Sequence, residues 1–150
     1  MNRLDSRTVA PAGMRALFGV HSYLHSQTDL PKPLIDLVFL RTSQINGCAH
    51  CIDMHSRDLL KEGMDVEKLV LVPAWREGGA LFDDRERAAL AWTETVARVA
   101  DTQVPDTDYE AASSALSEKD LVDLTIAIGL MSAYNRLGVA FRLPVAAAGA

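Results

Sequence analysis

The chain has 150 residues, 49% hydrophobic and 23% charged, the balance of an ordinary globular domain long enough to bury a core. Its formal net charge of −5, with no Lys/Arg cluster, argues against nucleic-acid binding and against a complex with an anionic membrane.

Residues 1–20 carry charges and no uninterrupted apolar core ahead of a small-residue cleavage site, so no signal peptide is expected and a cytoplasmic location is the default. His21 and His25 share a helix face, but without a third ligand they read as structural or surface residues. Pro33 suits a first turn, and Leu34, Leu37, Val38 and Leu40 give an apolar face running down to Ile45. Asn46-Gly47 supplies a C-terminal stop. A second helix runs from about Cys48 to Glu62, ended by Gly63, and Asp65 caps a short one through Val70, limited by Pro73.

Asp83 or Asp84 opens the next helix, with Glu86 in its first turn and Leu90, Trp92, Val96 and Val99 on its apolar side. Pro105-Asp106-Thr107 starts another. Ser117 followed by Asp120 resembles a capping box leading into a long apolar helix over 118–140, where Gly129 and Gly138 are weak points or close-packing sites. The run from Leu121 to Met131, interrupted by Asp123 and Thr125, is too short to span a bilayer. A small-residue tail, Ala146 to Ala150, is expected to fray. Strand-like alternation is scarce. The prediction is an all-α fold of about six to seven helices in one domain, 1–150.

The two cysteines stand three positions apart. A disulfide so local restrains little of the unfolded chain, so the pair points to redox chemistry or metal binding. On an ideal helix Cys51 lies about 60° and His55 about 20° from Cys48, so the three share a face. Cys48 falls at a helix start, where free N–H groups and the helix dipole favour a thiolate, and His55, one turn after Cys51, offers a second source of activation. A thiolate that attacks a peroxide becomes a sulfenic acid, which a neighbouring thiol condenses to a disulfide. Position alone favours Cys48 as the lower-pKa thiol.

The segment Leu40-Arg41-Thr42-Ser43-Gln44-Ile45-Asn46-Gly47-Cys48-Ala49-His50-Cys51, with His55, resembles the alkyl hydroperoxidase D core of the carboxymuconolactone decarboxylase-like superfamily. Trp92-Thr93-Glu94 and Asn135-Arg136 are similar to the family as well, less specifically. The resemblance implies a helical thiol peroxidase, with Cys51 attacking the peroxide, Cys48 resolving and His55 in a proton relay. The family's relay Glu falls on Asp36, one methylene shorter. His50 occupies a position where the family can carry a histidine. The resemblance further implies an external dithiol reductant, such as a lipoyl-bearing protein, and a homo-oligomer (trimer or hexamer). No haem, flavin or nucleotide motif is present, so no bound cofactor is required.

Other readings stand beside this one. Cys48, Cys51 and His55 could hold a structural zinc, although no fourth ligand is evident: an ideal helix turns His50 about 200° from Cys48. A redox-sensing or disulfide-transfer protein with little turnover fits the same residues and is favoured slightly by Asp36. Decarboxylase or lactonase chemistry, found elsewhere in the superfamily, has no need of a dithiol. Arg41, Ser43, Gln44 and Asn46 are expected to hold the helix junction, Asp58 to pair with Lys61, and Trp75 and Trp92 to serve core or interface.

Overall fold

A computed structural model describes residues 2–146, so most of the predicted C-terminal tail lies outside the described residues. Nine α-helices occur among them: α1 (Ser6–Val9), α2 (Pro11–Ser26), α3 (Lys32–Asn46), α4 (Ala49–Lys61), α5 (Val66–Leu71), α6 (Asp84–Ala97), α7 (Val99–Thr102), α8 (Asp106–Ala115) and α9 (Glu118–Phe141). Two 3₁₀ segments, Val72–Glu77 and Gly79–Leu81, link α5 to α6. The all-α expectation holds, and the expected six to seven helices become nine. The surplus is partly short pieces: α1 and α7 have four residues each, without a buried side chain.

Local chemistry sets the boundaries. Pro33 sits in the first turn of α3, and Gly47, at φ 68°, closes that helix in the left-handed region that glycine enters freely. The Gly47 and Cys48 N–H groups bond back to the Gln44 and Ser43 carbonyls, so α3 ends and α4 begins within two residues. At α6, Asp83 and Glu86 exchange side-chain and backbone hydrogen bonds in a full capping box. At α9, Ser117 accepts from the Asp120 N–H.

α3 is the central element. Its residues Leu34 through Leu40 are all buried, so it is enclosed on every side rather than on the single face expected from the sequence, with Asp36 the one carboxylate in that run. Ile35, Val38 and Phe39 meet Leu24 of α2 and Leu124, Ile128 and Met131 of α9. On the other side Leu37 and Leu40 pack with Leu59, Val72, Trp75, Phe82 and Leu90.

By length and composition α9 could cross a bilayer. Within the fold it carries two buried polar residues with partners: Asp123 accepts from Tyr23 and Lys119, and Asn135 bonds across to α3. Its outer side leaves Val122, Ile126 and Val139 exposed.

Candidate active site

Cys48 is the N-cap residue of α4, in extended backbone, and Cys51 lies one turn on. Both thiols are free and buried, with their sulfurs 2.8 Å apart. α9 forms the roof: a methyl group added at Gly138 would come within 2.7 Å of Cys48 Sγ. Gly138 is thus the close-packing glycine of α9, whereas a methyl at Gly129 would meet nothing within 4 Å.

The two sulfurs are electrostatically unequal. The Cys48 thiol is pushed down to about 6, foremost by the hydrogen bond it shares with the Cys51 sulfur and further by the Cys51 backbone N–H, Asn135 and His50, against the cost of burial. Cys51 is driven the opposite way, because its proton is held by Cys48 and a second negative charge beside the first is disfavoured. The two sulfurs thus share a single proton, and the direction of the shifts favours the charge on Cys48.

Asn135, only a weak likeness to the family in the sequence, joins α9 to α3 beside the thiols. Its amide donates to Ser43 Oγ at 3.0 Å, and its carbonyl accepts from Asn46 Nδ2 at 3.0 Å. Arg41 reaches the other way, to Glu94 on α6, which also receives the Trp75 indole and Arg76. Of the residues expected to hold the helix junction, Ser43 and Gln44 accept its backbone hydrogen bonds, Asn46 ties it to α9, and Arg41 serves the contact with α6 instead; Trp75 and Trp92 are buried.

His55 is buried at 4% exposure, and neither ring nitrogen has a hydrogen-bond partner among the described residues. Burial pushes its imidazole down to about 4, outweighing the upward pull of the Asp36 and Asp58 carboxylates. The imidazole is consequently neutral near pH 7, so of the two ways in which His55 could activate a thiol, as a cation or as a hydrogen-bonding partner, burial favours the second. His55 Nδ1 lies 3.9 Å from Asp36 Oδ1. Asp36 is not a lone buried carboxylate, since Lys32 one turn earlier bonds its other oxygen at 2.8 Å and also pairs with Glu62.

His50 stands apart from His55. Its Nδ1 lies 2.6 Å from the Pro144 carbonyl, an acceptor, so Nδ1 carries the hydrogen and Nε2 is left for another partner. Asp58 pairs with Lys61 at 3.7 Å, as expected. Among the described residues no group of three or more His, Cys, Asp or Glu side chains is arranged to hold a metal ion, so the geometry gives no support to the zinc reading.

Residues 11–95 match the model of the carboxymuconolactone decarboxylase family, and the chain belongs to that family. It is 31% identical over 138 residues to an uncharacterized protein, YdfG, of Bacillus subtilis, covering 92% of each chain. A solved structure of a protein of unknown function from Agrobacterium tumefaciens, provisionally named an antioxidant defence protein AhpD, superposes with a TM-score of 0.92 at 32% identity. That match covers 97% of this chain and 98% of the other. The fold is shared at 17% identity with the debrominase Bmp8, at a TM-score of 0.83 over 95% of this chain and 76% of that one.

Proposed function

We propose that the protein is a thiol-dependent peroxidase that reduces hydrogen peroxide or an organic hydroperoxide through a Cys48–Cys51 dithiol/disulfide cycle. The observation that carries this reading is the buried sulfur pair, 2.8 Å apart and unequal in proton affinity, at the head of α4. The Cys48 thiolate attacks the terminal peroxide oxygen, the O–O bond breaks, and the leaving alkoxide or hydroxide takes a proton to become alcohol or water. Cys48 is then a sulfenic acid. Cys51 attacks its sulfur and the hydroxyl leaves as water, forming the disulfide. His55, on the Cys51 face of α4, takes the Cys51 proton and returns it to the leaving hydroxide, with Asp36 steadying the imidazole.

This order reverses the one implied by the family resemblance, in which Cys51 attacks. The reversal rests on the place of Cys48 at the N-cap of α4, where free backbone N–H groups favour a thiolate, and on its lining the cavity at the head of that helix. An external dithiol, such as a lipoyl-bearing protein in a cytoplasmic setting, restores the thiols by exchange and leaves as a disulfide.

The test is steady-state hydroperoxide reduction with a dithiol donor on wild type, Cys48→Ser and Cys51→Ser, with mass spectrometry after one equivalent of oxidant. Expected are turnover in wild type, a trapped sulfenate at Cys48 in Cys51→Ser, and an inert Cys48→Ser. A sulfenate at Cys51 in Cys48→Ser, formed at the wild-type rate, would restore the family order. Stoichiometric oxidation without turnover would instead select the redox-sensing or disulfide-transfer reading.

A further inference from the structure

Above Cys48 lies a cavity of about 500 Å³ between the head of α4 and the end of α9. Its lining includes Arg3, His50, Gly138, Arg142 and Leu143, and no Asp or Glu is among the lining residues. In a chain of net charge −5 such a concentration of cationic donors runs against the overall composition. Of the two cysteines, only Cys48 reaches this cavity.

Both arginines have donors to spare. The Arg3 backbone N–H bonds the Phe141 carbonyl at 2.8 Å and its Nη1 bonds the Ala140 carbonyl at 3.1 Å, pinning the first residues across the end of α9. Those contacts use one guanidinium nitrogen and leave the rest of the fork free. Arg142 caps α9 in the left-handed region, at φ 55°. Among the described residues neither guanidinium pairs with a carboxylate, in contrast to Arg41, Arg57, Arg76 and Arg85 but in common with Arg7, Arg15, Arg87, Arg98 and Arg136. The fork of an arginine matches a carboxylate in two parallel hydrogen bonds.

We infer that this cavity recruits an anionic oxidant, a hydroperoxide bearing a carboxylate, which Arg3 and Arg142 hold while its O–O bond meets Cys48 Sγ. The inference rests on the peroxidase reading for the oxidant, but the anion preference is a property of the cavity and can be measured without peroxide. An anion near the mouth is drawn in before it reacts, so the effect falls on capture and weakens with salt. The sulfur chemistry is that described above, and the carboxylate is unchanged by it.

The experiment has two arms. In the first, the reduced protein is alkylated with iodoacetate or iodoacetamide at low salt, and modification of Cys48 is followed by mass spectrometry. Thiolate sulfur displaces iodide from either reagent, so their rate ratio cancels any change in the thiol itself. The ratio should favour iodoacetate about tenfold more in wild type than in the Arg3→Gln/Arg142→Gln double variant, and it should collapse toward the variant's value in 0.5 M salt. Arg142→Gln alone, which disturbs no hydrogen bond of the described residues, should lower it several-fold. A ratio unchanged within about twofold in Arg142→Gln and the double variant would overturn the inference.

The second arm compares a hydroperoxy fatty acid with its methyl ester in turnover. The acid should show the higher kcat/KM through a lower KM, and the arginine variants should erase the difference. Equal kcat/KM for acid and ester in wild type overturns the assignment to the oxidant. If neither substrate is turned over, the peroxidase reading fails, and the alkylation ratio still decides whether the mouth selects anions.

Discussion

Gly138 and Cys48 stand so close that a single methyl group on the glycine would press to 2.7 Å of the sulfur. Gly138→Ala therefore forces either the thiol or α9 to move, and overpacking of this kind costs about 1–3 kcal/mol. Gly129→Ala, on the same helix in open space, should instead stabilise by roughly 0.5–1 kcal/mol. Urea denaturation of the two variants checks the sign of each. Two shifts in the same direction would mean that α9 does not close tightly on the thiols.

The Cys48 thiolate depends on its neighbour for a hydrogen bond. Wild-type protein should lose its thiolate ultraviolet absorbance as the pH falls through about 6. In Cys51→Ala the largest stabilising interaction is gone, and the midpoint should rise by about 1 or more toward the ordinary thiol range. An unmoved midpoint would transfer the stabilisation to the helix terminus alone.

Buried His55 should make the fold acid-sensitive. Its imidazole titrates at about 4 in the fold and at 6.5 as a free histidine, so the unfolded chain takes up the proton first. Its contribution is complete above about pH 6.5, is lost as the pH falls toward 4, and changes no further below that, on the order of 3 kcal/mol in all. Urea midpoints at pH 7 and pH 4.5 should fall less in His55→Leu than in wild type. Equal losses would show that other groups govern the acid limb.

Asp36→Asn removes the charge facing His55 and leaves Lys32 without its helical partner. The neutral amide cannot favour the imidazolium, so the His55 titration followed by NMR should move to still lower pH. The single-turnover rate should slow at disulfide formation while thermal stability changes little. An unaltered pH profile with normal stability would remove Asp36 from the relay.

The exposed Val122, Ile126 and Val139 of α9 suit a contact with a second copy of the chain. A homo-oligomer is therefore expected, and Ile126→Lys should weaken it. Light scattering at micromolar concentration decides: a wild-type mass near 16.3 kDa would sink the expectation.

Much of the helical outline was legible because helix ends carry local chemistry. Pro33, Gly47, Asp83 and Ser117 act within a turn of themselves, and each marks the boundary it was expected to mark. α2 carries the same kind of signal as α3, a proline in its first turn at Pro11, with no side-chain hydrogen bond at its N-cap. At the site, helical spacing places Cys51 and His55 one turn apart on α4, whereas Cys48 lies just outside the helix as its N-cap. What spacing could not reveal is what comes from afar. Asn135 meets Ser43 across 92 residues, and Arg3 meets Ala140 across 137. Lys32 was within reach of the sequence, four positions before Asp36, and its pairing explains how that carboxylate tolerates burial. His55's loss of charge depends on how deeply the packed helices bury it.

The match to the family model ends at residue 95, while Asn135 and Gly138 lie on the last helix. A fragment cut at that boundary would keep both cysteines, His55 and Asp36 and still lack the amide that ties α3 to α9 and the flat surface that covers the sulfurs. Transplanting the segment from Asp36 to His55 into another helical hairpin would likewise carry the thiols into open water, where Cys48 would titrate as an ordinary cysteine. The unit that encloses the thiols is therefore not the motif but an assembly of α3, α4 and α9, and an attempt to graft the pair in its buried state has to bring α9 with it.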